Sequence, residues 1–419
     1  MSILLKNAIF IDWKSLDFKE CDILVQEGVE GRLLFDVGEN KADKIIDCTG
    51  MYVTKSFAVG HHHVYSALAR GMPAPHKNPE NFYEILKYIW WTLDKALDKD
   101  MIEASALATA MACAKSGSTF VIDHHASPNY ITGSLETIAK AFEKVGLGHL
   151  LCYEITDRDG KEKAVQGLEE TEKYLQKHQG LVGLHASFTV SNETLKQAAD
   201  LMQKYNSGIH IHVAEDNYDQ QHCVKNYGNR VVERLNDYGI LNSSKTILGH
   251  CLHLDDNERR IINKSEAFIV QNAESNLNNN VGLFNAEGLG DNIMLGTDGM
   301  HSDMIRSAQA AFFSGRAHDN IDFEKAYLRF RKVHDYVRKN GFYGDEANNL
   351  VVIDYPSPTP LTPDNFSGHF LFGFREQYVR HVIARGKVIV ENFRLTTVDE
   401  NELLKFTQEQ ALRLWDRIK

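Results

Sequence analysis

The sequence has no uninterrupted run of about 18 apolar residues, the length that a membrane-spanning helix needs, so no membrane span is predicted. It also has no excess of basic residues: 46 Lys and Arg stand against 57 Asp and Glu, which gives a formal net charge of −11. Because phosphate groups are bound by basic surfaces, this balance argues against nucleic acid as a partner. We therefore expect a small-molecule substrate, with neither nucleic acid nor a membrane as partner.

Cysteine is scarce and scattered along the chain. The six cysteines include no pair at C-x-x-C spacing, so neither a zinc knuckle nor a redox dithiol is indicated. The first residues, MSILLKNAIFIDW, have no basic start, no long apolar core and no small-residue cleavage site, and they are typical of a strand. We therefore expect reduced, buried thiols and a cytoplasmic protein.

The middle of the chain alternates between strand-like and helical patterns. Eight strand-like runs follow one another: the run ending at Gly60, then 118–123, 148–153, 181–185, 208–213, 246–250, 267–271 and 292–298. Helical spacing lies between most of them, with a helix start predicted at Ser191 and a capping box formed by Asp255 and Glu258. This order predicts an α/β fold, a (β/α)₈ barrel over residues 56–349. The competing doubly wound sheet lacks support, because no G-x-G-x-x-G follows the first strand.

Strand patterns also occupy both ends of the chain. They fill the first 55 residues, and they return at 350–354, 370–373 and 379–390 among several prolines. We therefore expect residues 1–55 and 350–419 to form one small composite β-sandwich module beside the barrel.

Histidine carries the chemical signal. Six residues able to bind a metal or move a proton fall at predicted strand ends: His61, His63, His212, Glu215, His250 and Asp298. Catalytic groups of such barrels sit at the carboxyl ends of the strands, and His with Asp suits a divalent ion such as Zn²⁺. For any one of these residues an ordinary packing role is the simpler explanation; the placement of all six indicates a site.

The motifs His61-x-His63, His212-x-x-Glu215, His250 and Asp298 within Gly-Thr-Asp-Gly, in that order, resemble the amidohydrolase superfamily. The resemblance is to the branch with cytosine and guanine deaminases and the triazine hydrolases (chlorohydrolases). The stretches HHHVYSALARGM, IHIHVAED and QNAESNLNNNVG are most similar to SsnA-type aminohydrolases. This resemblance implies a TIM-like, metal-dependent hydrolase of C–N bonds. It favours a deaminase of an amino-substituted heterocycle such as a purine or pyrimidine.

The resemblance also implies roles for single residues. Four match the ligands of one divalent ion, with zinc expected and iron as the alternative: His61, His63, His212 and Asp298. Glu215 matches the proton shuttle, His250 the histidine that contacts the hydrolytic water, and His185 a histidine on the substrate side. Asp298 is expected to take part in catalysis as well. Related enzymes are often dimers, so a homodimer is compatible with the resemblance.

The sequence departs from the family in two places, and it also lacks the strand-four lysine of the two-metal members. Two-metal members carry a carboxylated lysine on the fourth strand, whereas Lys177 and Lys196 lie off that strand, so we expect a single ion. Gln271-Asn272-Ala273 stands where the family usually has His-Asn-Pro, and the segment 340–348 is shorter than usual. The substrate loop and the module junction are therefore expected to differ from those of relatives.

Three further residues are candidates for substrate contact. Arg70 could hold an anionic or carbonyl group, while His125 and Asn272 could hydrogen-bond a heterocycle; each has an ordinary surface or loop role as the alternative. Ring-opening amide hydrolysis and dechlorination on the same site are the rival reactions. A non-catalytic scaffold is a rival from another class, but a scaffold would be expected to lose ligand side chains and none is lost here.

Overall fold

The computed structural model describes residues 2–37 and 42–419, and its strands form two sheets. The strands are β1 (Ser2–Ile11), β2 (Phe18–Gln26), β3 (Leu33–Phe35), β4 (Lys44–Asp47), β5 (Tyr52–Lys55), β6 (Phe57–His62), β7 (Ser118–His125), β8 (Gly148–Ile155), β9 (Val182–Ala186), β10 (Ile209–Val213), β11 (Ile247–His250), β12 (Phe268–Gln271), β13 (Ile293–Leu295), β14 (Leu350–Ile353), β15 (Val379–Ala384), β16 (Lys387–Glu391) and β17 (Arg394–Leu395).

Helices follow most of the strands in the middle of the chain. They are α1 (Phe82–Ile85), α2 (Trp91–Ala96), α3 (Lys99–Lys115), α4 (Ser134–Val145), α5 (Lys161–Leu175), α6 (Asn192–Lys204), α7 (Asn217–Tyr227), α8 (Val231–Asp237), α9 (Asp256–Lys264), α10 (Ala273–Asn278), α11 (Met304–Gly315), α12 (Phe323–Lys339), α13 (Phe366–Phe372) and α14 (Glu400–Arg417). A π-helix, Leu86–Trp90, joins α1 to α2. None of the helices in the described ranges combines the length and apolar character that a membrane crossing requires.

The eight strands β6 to β13 pair in parallel and in chain order, and an isolated parallel bridge between His62 and Asp298 joins the two ends of the sheet. The predicted barrel is confirmed. Its strands are buried on both faces; all eight residues of β7 are buried. Apolar side chains from several strands form one interior cluster with Val333, Tyr336 and Val337 of α12. This packing holds the barrel strands in place beneath the polar residues at their carboxyl ends.

The predicted helix caps are also confirmed. The Ser191 side chain accepts a hydrogen bond from the backbone N–H of Thr194, and Asp255 with Glu258 forms a capping box at the start of α9. Each such cap contributes on the order of 1 kcal/mol to stability. The caps start both helices at the positions predicted from the sequence.

Strands from both ends of the chain are hydrogen-bonded in one nine-stranded sheet. Its order is β17–β16–β15–β14–β5–β1–β2–β3, and β4 pairs with β1 as well. β14 is antiparallel to both β5 and β15, which joins the two ends of the chain directly. The sheet has an apolar cluster of its own that includes Leu5, Ile23, Val53, Val352 and Ile383.

One predicted strand of this region is wrong. Residues 370–373 are predicted to form a strand, but 370–372 lie in α13 and Gly373 is the C-cap of that helix. Phe366 and Phe370 are four residues apart and face the same side of that helix, where both pack against Tyr327 of α12. The aromatic residues favour a strand locally, but burial of a helical face against α12 decides the structure.

The short segment 340–348 connects the barrel to the sheet through a buried charge cluster. Lys55 Nζ lies 2.5 Å from Asp345 Oδ1, and His334 Nδ1 lies 2.6 Å from Asp345 Oδ2. Burial raises the pKa of Asp345, but the charges of His334 and Lys55 outweigh it and lower that pKa to about 2. Asp345 therefore stays ionised and holds the β5 end against α12.

Candidate active site

Six polar side chains meet at the carboxyl end of the barrel: His61, His63, His212, Glu215, His250 and Asp298. They come from β6 and the residue directly after it, from β10 and the loop after it, from β11, and from the loop after β13. The backbone is left-handed at His250 (φ 66°) and Asp298 (φ 53°), where each strand turns into its loop. Such conformations cost roughly 1–3 kcal/mol each and cluster at functional sites.

His63 and His212 face each other with nitrogen lone pairs. His63 Nδ1 donates to the backbone oxygen of His124 and His212 Nδ1 to that of His185, both at 2.7 Å. In the neutral tautomers that these bonds require, each Nε2 carries a lone pair, yet the two Nε2 atoms are 3.1 Å apart. Burial lowers the pKa of both rings, so neither supplies a proton to the other. A cation between the two rings would satisfy both lone pairs.

His61 and Asp298 complete the group. His61 Nδ1 lies 2.9 Å from His210 Nε2, while its own Nε2 is buried and has no hydrogen-bond partner among the described residues. Asp298 Oδ1 lies 3.3 Å from His63 Nε2 and 3.9 Å from His61 Nε2. Burial raises the pKa of Asp298, but the neighbouring His63 and His250 rings and the hydrogen bonds from Ser275 and the backbone N–H of Gly299 outweigh it, so the pKa is lowered and the carboxylate is ionised.

Three imidazole Nε2 atoms and the Asp298 carboxylate therefore converge, and Asp298 Oδ1 accepts one hydrogen bond, from the backbone N–H of Gly299. This donor set suits a divalent metal ion. β9 carries no lysine, and Lys196 lies on exposed α6, where it pairs with Asp200 at 3.0 Å. β9 therefore offers no lysine that could be carboxylated to bridge two ions.

Glu215 and His250 lie beside this group. His250 Nδ1 donates to Asn276 Oδ1 at 2.7 Å, which turns its Nε2 toward Glu215 Oε2 at 3.4 Å and Asp298 Oδ2 at 3.5 Å. Burial raises the pKa of Glu215 to about 7. A carboxyl group that exchanges its proton near neutral pH is suited to general acid–base work.

Glu154, at the end of β8, is a site residue that the sequence reasoning missed. Its Oε2 lies 3.2 Å from His124 Nδ1 and its Oε1 4.0 Å from His185 Nε2. Burial raises its pKa, but the charges of His185, His124 and Arg158 outweigh it and keep the group ionised. Its position directly after the predicted strand 148–153 could have indicated a site residue. A single Glu after Tyr153 belongs to no motif, however.

An aromatic cleft opens above these groups. Its lining includes seven aromatic side chains: Tyr65, Phe82, Tyr83, Trp90, Trp91, Phe188 and Tyr218. The cleft holds about 840 Å³ of space free of atoms, open solvent at its mouth included. The π-helix, a rare form that is frequent at functional sites, carries Trp90, and α2 begins at Trp91. The rings offer flat apolar surfaces to a planar substrate.

The predicted substrate residues divide into two groups. His185 lines the cleft, whereas Arg70, His125 and Asn272 are not part of its lining. Arg70 is exposed outside the cleft. His125 is buried with Nε2 2.9 Å from Ser127 Oγ, and Asn272 Nδ2 lies 3.4 Å from His250 Nε2. The positions of these three residues do not support direct substrate contact.

A model of the Amidohydrolase family matches residues 57–330. The chain belongs to the amidohydrolase family. The match covers the barrel strands and the strand-end residues described above. This amidohydrolase is therefore a metal-dependent hydrolase that acts on carbon–nitrogen bonds other than peptide bonds.

Relatives with assigned names resemble the amidohydrolase along its whole length. It is 25% identical over 441 residues to a 5'-deoxyadenosine deaminase of Methanococcus maripaludis, covering 98% of this chain and 99% of the relative. It is 28% identical over 416 residues to a 5-methylthioadenosine/S-adenosylhomocysteine deaminase of Thermococcus sibiricus, covering 93% and 94%. An adenosine deaminase structure from Xanthomonas campestris, with bound zinc, superimposes with a TM-score of 0.84 over 98% of both chains at 18% identity, which shows a shared fold.

Proposed function

We propose that the protein hydrolytically deaminates an amino-substituted heterocycle, and that 6-aminopurine nucleosides are its substrate class. The proposal rests on two groups of residues that lie together at the mouth of the barrel. On one side His63 and His212 turn unprotonated nitrogens toward each other at 3.1 Å. On the other side the Glu215 carboxyl, with a pKa of about 7, lies 3.4 Å from His250. The names of the two deaminase relatives support the purine nucleoside class.

We further propose that His61, His63, His212 and Asp298 hold one zinc ion. The fit rests on the buried Nε2 of His61, which has no hydrogen-bond partner among the described residues, on the facing Nε2 atoms of His63 and His212, and on the absence of a lysine on β9. When bound, such an ion lowers the pKa of a water molecule from 15.7 toward ~7, so that hydroxide is available at neutral pH. Zinc is preferred to iron because the donors are mostly imidazole and the structural neighbour contains zinc.

The residues of the chain then divide the proton transfers between them. The water oxygen bonds to the ring carbon that carries the amino group, and the bond from that carbon to the amino nitrogen breaks. Glu215 takes one proton from the water and delivers it to the departing nitrogen, which leaves as ammonia. Asp298 accepts the second water proton, which ends on the ring nitrogen. His250 orients the water and stabilises negative charge on the oxygen as the tetrahedral centre forms.

The test is a substrate panel with zinc-loaded protein. We expect ammonia release from 5'-deoxyadenosine, methylthioadenosine and adenosine, with the 6-oxopurine nucleoside as the second product. Cytosine, guanine, a cyclic amide and a chlorotriazine serve as comparison substrates in the same assay. Chloride release or a ring-opened product instead of ammonia would support a rival reaction. No turnover of any amino-heterocycle by fully metal-loaded protein would refute the proposal.

A further inference from the structure

We propose that Asp219 is a positioning residue, which holds the proton shuttle Glu215 in the place where it works. Asp219 comes four residues after Glu215, in the first turn of α7. Its carboxylate accepts hydrogen bonds from two segments at the barrel mouth, the turn that precedes Glu215 and the segment that carries Phe188 of the cleft wall. This inference rests on the proposed function, because it adds a residue to the proton transfer that Glu215 performs there.

The turn that precedes Glu215 has an unfavourable backbone conformation. β10 ends at Val213, and the next residue, Ala214, is left-handed with φ 46° although it is not a glycine. A Cβ atom in this conformation lies too close to a carbonyl oxygen, which costs roughly 1–2 kcal/mol. Such conformations persist only where the surrounding structure holds them. Glu215 follows directly, so the direction of its side chain depends on the contacts that hold Ala214.

Those contacts engage both backbone polar groups of Ala214. Its oxygen accepts from the N–H groups of Leu252 at 3.2 Å and His253 at 3.0 Å, in the loop that follows His250. Its N–H donates to Asp219 Oδ2 at 3.0 Å. Because Ala214 and Asp219 are both buried, water has little access to replace a bond that is lost. Asp219 is therefore the side chain that holds this turn.

The second oxygen of Asp219 ties the turn to the aromatic wall. Asp219 Oδ1 accepts from the backbone N–H of Phe188 at 3.1 Å. The Phe188 side chain lines the cleft, and its ring centre lies 5.3 Å from that of Tyr218. One carboxylate thus fixes the turn before Glu215 relative to a ring that offers its face to a planar substrate.

The position of Glu215 matters for the rate more than for binding. A general acid or base has to come within about 2.6–3.2 Å of the atom that it serves, and a misplacement of about 1 Å can cost about 10²-fold in rate. His212 lies within β10, before the turn, so a shift of the turn leaves this proposed metal ligand in place. Loss of the Asp219 contacts should therefore lower kcat without removing the metal.

The test is Asp219→Asn in zinc-loaded protein. An amide offers one oxygen to two N–H groups, so one of the two bonds is lost. We expect kcat for a 6-aminopurine nucleoside to fall by about 10–10²-fold, while KM changes less than about threefold and metal content is unchanged. A crystal structure of the variant should show Glu215 Oε2 farther from His250 Nε2 than 3.4 Å. Asp219→Ala removes both bonds and should lower kcat at least as much.

Glu170→Gln is the matched control for lost stability. Glu170 on α5 is also a buried carboxylate that accepts two backbone N–H bonds, from Gly133 at 2.8 Å and Leu135 at 3.2 Å, but it is not part of the cleft lining. The control should lower Tm, as Asp219→Asn does, while kcat stays near the wild-type value. A fall of kcat in the control as large as in Asp219→Asn would contradict a role in positioning.

A double-mutant cycle shows which group Asp219 acts through. Once Glu215→Gln has removed the proton shuttle, Asp219 has no shuttle left to position. Adding Asp219→Asn to Glu215→Gln should then lower kcat by less than about threefold, because the two substitutions remove the same function. A further loss as large as in the wild-type background would show that Asp219 acts independently of Glu215, and it would refute the inference.

The remaining outcomes separate this inference from the proposed function. Near wild-type kcat in both Asp219 variants, beside an inactive Glu215→Gln protein, would refute the positioning role and leave the deaminase proposal intact. A raised KM with unchanged kcat would indicate that Asp219 contacts the substrate, and it would refute the positioning role as well. No turnover of any amino-heterocycle by metal-loaded wild-type protein would refute the proposed function and this inference with it.

Discussion

Replacing Glu215 by Gln removes the one group that the mechanism requires to accept a proton and then release it. The Glu215 carboxyl is buried, lies 3.4 Å from His250 Nε2 and has a pKa of about 7, whereas an amide of the same shape cannot exchange a proton at this pH. We expect kcat to fall by about 10²–10⁴-fold, the range of general acid–base catalysis, which corresponds to roughly 3–5 kcal/mol of activation free energy. KM should change little, because the loss falls on the transition state.

The assay is steady-state ammonia release with metal content and Tm measured on the same preparations. Glu162→Gln is the matched control: it makes the same chemical change at an exposed position of α5 outside the cleft lining and should keep kcat near the wild-type value. The wild-type pH profile of kcat/KM should show an acid limb, since the shuttle must be deprotonated to accept the water proton, and Glu215→Gln should lose that limb. A Glu215→Gln protein with full metal and near wild-type kcat would refute the mechanism but not the fold.

The other predictions concern the metal, the charge cluster and a helix cap. Elemental analysis should find one divalent ion per chain; Asp298→Asn should lower both metal affinity and rate, and two tightly held ions would contradict the single site. Asp345→Asn should destabilise the fold by about 3 kcal/mol in urea unfolding at pH 7, because Lys55 loses its buried partner. The pKa of Asp345 in the folded protein is about 2, below its ordinary 3.8. The stability that the ionised carboxylate contributes is therefore present above about pH 4 and is lost as the pH falls toward 2. The difference in unfolding free energy between wild type and variant should close over that pH range. Asp255→Ala should cost about 1 kcal/mol, with kcat unchanged.

The barrel could be predicted because its signals are local. Each strand and helix has its own periodicity, and the caps at Ser191 and Asp255 are read from residues three positions apart. The exception at 370–373 has a tertiary cause: the aromatic residues there are helical because α12 offers Tyr327 as a packing surface. The proposed boundaries, with 56–349 as the barrel unit beside 1–55 and 350–419, remain a prediction.

The site could be predicted only in part. The six strand-end residues were found because they follow recognisable strands, whereas Glu154 belongs to no motif. Arg70, His125 and Asn272 were selected for their chemistry and their closeness in sequence to strand ends. Asn272 shows why that is insufficient, since its side chain lies against His250 and not in the cleft lining. Side-chain direction at a strand end depends on the turn that follows, and the sequence does not state that turn.

The sequence by itself determined the order of strands and helices, the acidic balance and the set of residues able to bind a metal, because these follow from composition and short-range pattern. The tertiary structure alone decided which of these groups meet. His63 and His212 are 149 residues apart, yet their lone pairs face each other at 3.1 Å because carbonyl groups of neighbouring strands fix both ring tautomers. Asp94 accepts a hydrogen bond from Arg158 across 64 residues and so ties this residue of the cleft lining to α2. Contacts of this kind depend on the closure of the barrel, so a local sequence pattern does not predict them.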